Sequence, residues 1–195
     1  MVFRGCVPSG LSEPGIGRID VTPSHPLLHY GSSYSSHYAC TLIKFTNIVC
    51  EEFDKSFGDI KECKLKVMGR NKVALRLTMR LFHVPVNNIT VNFQLFRKSF
   101  DYRPFMYNTT LDFCVFLKNQ KRYPFWERLY GFAIPYTNVN HSCPFDHDII
   151  IQDMILSEDM YKNLPLPSGD YKLRVSMAAY NHYKAAVDFF VTGIL

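Results

Sequence analysis

The stretch Asn71–Val86, NKVALRLTMRLFHVPV, sets Val73, Leu75, Leu77, Met79 and Leu81 in strict alternation with Ala74, Arg76, Thr78 and Arg80. A period of two places one set on a buried face and the other on a wet face of a strand, and it cannot form a helical stripe. Beyond Pro85 and the turn-like pair Asn87-Asn88, the alternation resumes with Ile89, Val91, Phe93 and Leu95 against Thr90, Asn92 and Gln94. The two runs are expected to form an antiparallel hairpin. Similar texture predicts strands at about 41–49, 62–69, 105–117, 148–156, 170–180 and 184–193, the last two parted by the turn-like AYNHYK.

One segment departs from this rhythm. In YPFWERLYGFAIPY, Phe125, Trp126, Leu129, Tyr130, Ala133 and Ile134 recur at helical spacing between Pro124 and Pro135. Proline suits a first helical turn and stops a helix that meets it later. A single amphipathic helix over 124–134 is expected, capping one end of the fold or lining a cavity mouth. Eight strands, one short helix and no βαβ alternation predict an all-β, immunoglobulin-like antiparallel β-sandwich.

Residues 1–39 carry no hydrophobic period and are rich in Gly, Pro, Ser and His, so they read as a disordered tail before a domain at 40–195. They lack the basic start and apolar core of a secretory signal peptide. The Gly15-Ile16-Gly17 triplet has neither a strand before it nor a helix after it, so no dinucleotide loop is indicated. The net charge of +5 arises after residue 40, because Arg4 and Arg18 are offset by Glu13 and Asp20. Such a surface is expected to be an ordinary solvated one with slightly more lysine than glutamate, the alternative being a preference for anionic headgroups or acidic partners. Its cations are spread singly, so nucleic acid is not an expected partner. No apolar run approaches the roughly 20 residues of a membrane-spanning helix, so no transmembrane segment is expected.

The stretch Asn138–Asp148, NVNHSCPFDHD, crowds His141, Cys143, His147, Asp146 and Asp148 together and invites a zinc reading. Within it, Asn140-His141-Ser142 is also an N-glycosylation triplet, as are Asn88-Ile89-Thr90 and Asn108-Thr109-Thr110. Asn108 falls on the polar parity of its strand with Thr110 and Asp112, and Asn88 and Asn140 lie in turn-like segments. Cys50, Cys63, Cys114 and Cys143 lie within the domain, and they can pair in three ways. Even domain cysteines and three well-placed triplets favour an oxidising, glycosylating route, in which a disulfide takes precedence over a zinc thiolate. No G-x-S-x-G, H-E-x-x-H or Walker A motif occurs, so neither an enzyme nor a metal or cofactor is expected.

Five ordered blocks carry a family resemblance: IKFTNIVCEEFDKSF from Ile43, CKLK from Cys63, RPFMYNTTLDFC from Arg103, NVNHSCPFDHDIII from Asn138 and LPLPSGDYKL from Leu164. Over about 41–195 they resemble the insect DUF1091 family, regarded as a distant relative of the MD-2-related lipid-recognition domains. The GM2 activator protein and insect chemosensory B proteins are counted among those relatives. A signal peptide ordinarily precedes the KFTNIVCE block in that family, so residues 1–39 are expected to be a mispredicted or alternative start.

The resemblance implies a cup whose two sheets splay at one end to admit an acyl chain or similar ligand. Phe82, Phe93, Phe113, Phe116, Phe125, Trp126, Tyr130 and Phe189 are then the candidate wall, each being alternatively a filled-core residue. The preferred disulfides are Cys50–Cys63 and Cys114–Cys143, with Cys50–Cys143 and Cys63–Cys114 left open. The expectation is a secreted, extracellular, non-enzymatic binder of a lipid or apolar small molecule with a chemosensory role. Its rivals are an extracellular interaction module that uses its closed outer surface to bind a receptor, and a metal-dependent enzyme at HSCPFDH.

Overall fold

The computed structural model describes residues 6–8, 38–40, 42–157, 160 and 166–194. Two short strands, β1 (Cys6–Pro8) and β2 (Tyr38–Cys40), pair antiparallel with Cys6 opposite Cys40. The rest of the tail lies outside the described residues. The body comprises β3 (Leu42–Glu52), β4 (Gly58–Gly69), β5 (Lys72–Leu81), β6 (Ile89–Lys98) and β7 (Tyr102–Asp112). After these come α1 (Phe113–Lys118), α2 (Pro124–Ala133), β8 (Ile149–Ile155), β9 (Gly169–Ala179) and β10 (His182–Ile194).

The strands form two antiparallel sheets, one of five strands in the order β3-β10-β9-β6-β7 and one of three in the order β4-β5-β8. Each ladder follows the alternation in the sequence. Val187, Phe189 and Val191 of β10 stand level with Val175, Leu173 and Tyr171 of β9 on the inward face, and Asp188 stands level with Arg174 on the outward face. Tyr180 and Asn181 both have positive φ, which is the twist a two-residue hairpin needs between β9 and β10. Gly58 marks a close approach: a Cβ there would lie 2.3 Å from the Arg80 carbonyl oxygen across the β4–β5 ladder.

Two expectations are corrected. The runs at 73–81 and 89–95 are strands but not a hairpin, since β5 lies in the three-stranded sheet and β6 pairs with β7 and β9 in the other. The chain crosses between sheets because Val86 leaves β5 to exchange both backbone hydrogen bonds with Phe145, each 2.8 Å, burying Val86 to 2% exposure. The run predicted as one strand to residue 117 ends at Asp112, whose carboxylate accepts a hydrogen bond from the Val115 amide at 2.9 Å and caps α1. Phe113, Phe116 and Leu117 are spaced to share one helical face. The expected single helix, α2, is therefore preceded by a second one, α1.

Three strands cannot cover five. One buried cluster, Phe45, Leu75 and Val191, joins the sheets beneath β3 and β10. A second, around Phe57, Val86, Ile89, Phe145 and Ala179, fills the end where the crossing segment and α1 meet. The inner face of β6 and β7 meets a third cluster built with α1 and α2, including Phe93, Leu111, Phe116, Trp126 and Tyr130. Helices thus stand where a fuller second sheet would place strands.

Candidate functional site

The aromatic layer under β6 and β7 follows from parity. Phe93 and Thr109 are level partners across the ladder and share the inward face, as do Val91 and Leu111. Pro124 opens α2, and Trp126 and Tyr130, four residues apart, turn the same side of it inward. The Phe93 ring meets Phe125 at 5.6 Å and Trp126 at 6.3 Å between centroids, both edge-on. Tyr107 stacks on Phe125 at 4.7 Å. Phe116 contacts Phe113 at 5.8 Å and Tyr130 at 5.5 Å.

Six of the eight aromatic residues proposed from the sequence are therefore brought together: Phe93, Phe113, Phe116, Phe125, Trp126 and Tyr130. The other two are elsewhere. Phe82 is 45% exposed in the segment leaving β5, beneath the Arg80 guanidinium at 5.7 Å. Phe189 packs 6.3 Å from Phe45 in the cluster between the two sheets.

Helix α2 is tied to the sheet by side chains. Trp126 Nε1 donates to Thr109 Oγ1 at 3.4 Å, and the Tyr130 hydroxyl donates to the Val139 carbonyl at 2.6 Å. Burial pushes the Tyr130 phenol above its ordinary pKa, so it stays a neutral donor. A strand in this place would be fixed by a ladder of backbone bonds, whereas a helix satisfies its backbone internally and adheres through its packed face.

The disulfides are Cys50–Cys63 and Cys114–Cys143. The first staples β3 to β4, the adjoining flanks of the two sheets, and a groove of about 580 Å³ runs beside it between Ile48, Lys55 and Ile60. The second ties α1 to the loop before β8. With Cys143 so engaged, no thiolate is available to a metal there, and no cluster of three metal-ligating side chains occurs among the described residues. His141 and His147 meet each other instead, through their Nε2 atoms at 2.8 Å. His147 Nδ1 also lies 2.8 Å from the Asp148 carbonyl and 3.0 Å from Asn138 Nδ2. Asn138 and Asp148 themselves position the β8 entry, with Asn138 Oδ1 accepting from the Ile150 amide at 2.9 Å and Asp148 Oδ1 from the Leu81 amide at 3.2 Å.

The outward face of the five-stranded sheet is ionic. Arg174 pairs with Glu51 and lies 3.5 Å from Asp188, and Lys172 approaches Asp188 at 3.8 Å. Lys172 also sits 4.3 Å above the Phe96 ring and 5.9 Å from that of Tyr102. Asn88, Asn108 and Asn140 are all exposed. Asn108 Oδ1 accepts from Asn92 Nδ2 at 3.0 Å.

A family model described as a protein of unknown function, DUF1091, matches residues 91–173. Over this segment the chain is similar to the DUF1091 family. No curated protein matches the chain. The matched segment runs from β6 through α1, α2 and β8 into β9, so it contains the six clustered aromatic residues and the Cys114–Cys143 bridge, and excludes Phe82 and Phe189. Sequence reading missed the cationic cleft of about 370 Å³ lined by Arg97, Lys98 and Arg103 at the β6–β7 turn. The signal was local, since Arg97-Lys98 and Arg103 flank Ser99-Phe100-Asp101.

Proposed function

We propose that the domain is a non-enzymatic extracellular binder of a lipid or other apolar small molecule, taken up between the five-stranded sheet and α2. The observation that carries this reading is the cover over β6 and β7: a ten-residue helix with an aromatic inner face and no backbone ladder to the strands it protects. Lifting such a helix exposes Phe93, Phe125, Trp126 and their neighbours without breaking the sheet, and these side chains suit an acyl chain. Two disulfides and three glycosylation triplets with exposed asparagines support an extracellular setting. Among the described residues no helix is long and apolar enough to cross a membrane. A chemosensory role would follow from the ligand class, with delivery to a receptor as its output.

One observation favours a second reading, an interaction module with a closed core. Phe116 has no exposed surface and its ring neighbours are in contact, so the cluster is filled as it stands. The two readings separate experimentally. Protein secreted from insect cells, kept non-denatured for mass spectrometry, should carry an apolar adduct or take up a fluorescent fatty acid at one per chain. Quenching of Trp126, the single tryptophan of the chain, should report the uptake. Absence of adduct and uptake, with co-purification of a protein partner, would sink the ligand reading.

A further inference from the structure

Strand register brings two hairpin turns to one end of the sandwich. Gly169 and Gly193 are level partners at the start of β9 and the end of β10, and Arg97 and Tyr171 are level two residues further in. The β6–β7 turn, Ser99-Phe100-Asp101, therefore projects from that end. The β4–β5 turn at Arg70-Asn71 projects the same way, because Phe45 near the start of β3 and Leu75 near the start of β5 share a cluster with Val191. The two turns rise from opposite flanks, β4 lying against β3 and β7 forming the far edge of the five-stranded sheet.

Each turn carries the same pairing of chemistries. Phe100 is 94% exposed at the tip of one, and Val67 and Met68, at 77% and 46%, flank the other. Beside Phe100 is the cleft lined by Arg97, Lys98 and Arg103, and beside Val67 stand Lys66, Arg70 and Lys72. Among the described residues neither Lys98 nor Arg103 has a carboxylate partner. Arg97 is held in place by donating to the Ser168 carbonyl at 3.2 Å and by lying over Phe105 at 5.6 Å. Among the described residues, the acids nearby are Asp101 at the tip, Asp170 bonded to Thr192, and Asp153 bonded to Arg76.

We propose that this end of the domain docks on an anionic phospholipid surface, with Phe100 and the Val67-Met68 pair entering the acyl boundary and the six surrounding cations meeting phosphate groups. A soluble phosphate would engage the cations and leave the phenyl ring in water. A membrane interface accommodates both, since apolar burial and attraction to anionic headgroups act together there. The two separated tips give two points of attachment, which fixes the orientation of the domain on the surface. The inference is independent of whether a ligand enters beneath α2.

Flotation with phosphatidylcholine vesicles, with and without phosphatidylserine, tests it on the full chain. Binding is expected only with phosphatidylserine, and it should fall steeply with added sodium chloride. Phe100→Ser should weaken binding about tenfold. K98Q, R103Q, R70Q and K72Q should each weaken it about fivefold. All five side chains are exposed, so unchanged thermal unfolding serves as the folding control. Equal binding to phosphatidylcholine alone, or indifference to Phe100→Ser, would overturn the proposal. Displacement by inorganic phosphate beyond that caused by chloride of matched ionic strength would overturn it in favour of a soluble phosphate ligand.

Discussion

Phe116 and Val115 are adjacent in sequence and opposite in environment: the first has no exposed surface and the second is 47% exposed on the outer side of α1. Phe116→Ala should cost about 3–5 kcal/mol, because its ring contacts are lost and the disulfide beside it limits collapse of the cavity. Val115→Ala should fall within about 0.5 kcal/mol of the parent, both read from urea unfolding midpoints. Two carboxylates predict opposite responses to pH. Asp54 is held far below the ordinary carboxylate range, first by its 2.7 Å bond to Lys184 Nζ and then by Ser56. Its folded value is depressed, so its contribution is present above the ordinary range and lost as pH falls below it. Burial pushes Asp188 up, against the pull of Arg174 and Lys172. Its contribution is therefore present below the ordinary range and lost as pH rises through the raised value. Between about pH 3 and 7, the stability of D54N relative to the parent should fall, while that of D188N should rise. Unfolding midpoints at both ends of that range check the signs.

Elements were legible in the sequence where their period was long and local. The alternation in β5, β6, β9 and β10 and the helical spacing between Pro124 and Pro135 were sufficient to place those elements within a few residues. Pairing was less legible. Val73–Leu81 and Ile89–Leu95 are each amphipathic, and nothing in their faces says that Val86 bonds to Phe145, 59 positions later, and sends β6 to the other sheet. Helix α1 was hidden because Phe113, Cys114 and Phe116 fit a strand's apolar content as well as a helix turn's, and only the Asp112 cap marks the change. That Phe93, Phe113, Phe116, Phe125, Trp126 and Tyr130 share one cluster while Phe82 and Phe189 lie elsewhere depends on the sheet assignment, which their apolar character does not carry. The Cys114–Cys143 bridge makes a prediction at this scale. It closes a loop of 29 residues, so replacing both cysteines by alanine should cost roughly 3.5 kcal/mol by loop-closure entropy. The comparable change at Cys50 and Cys63, separated by 13, should cost about 3 kcal/mol. Chemical unfolding of the two double variants measures the difference.

For the molecule as a whole, Asn88 and Asn140 lie in loops toward the end where α1 and the crossing segment meet, and Asn108 lies on the outward side of β7. Sugar at these positions would leave the Phe100 end uncovered, and protein secreted from insect cells should lose up to three glycans' mass on enzymatic deglycosylation. The order β3-β10-β9-β6-β7 has a further effect. The β9–β10 hairpin comes last among these strands in the chain, yet it is the bridge between β3 and the β6–β7 pair. During synthesis, β3 and β6 each wait with an open edge until residues 169–194 have left the ribosome, a delay that favours chaperone contact and aggregation over early sheet formation. Trimming β10 should accordingly sever the five-stranded sheet in its interior, separating β3 from the neighbour it pairs with there.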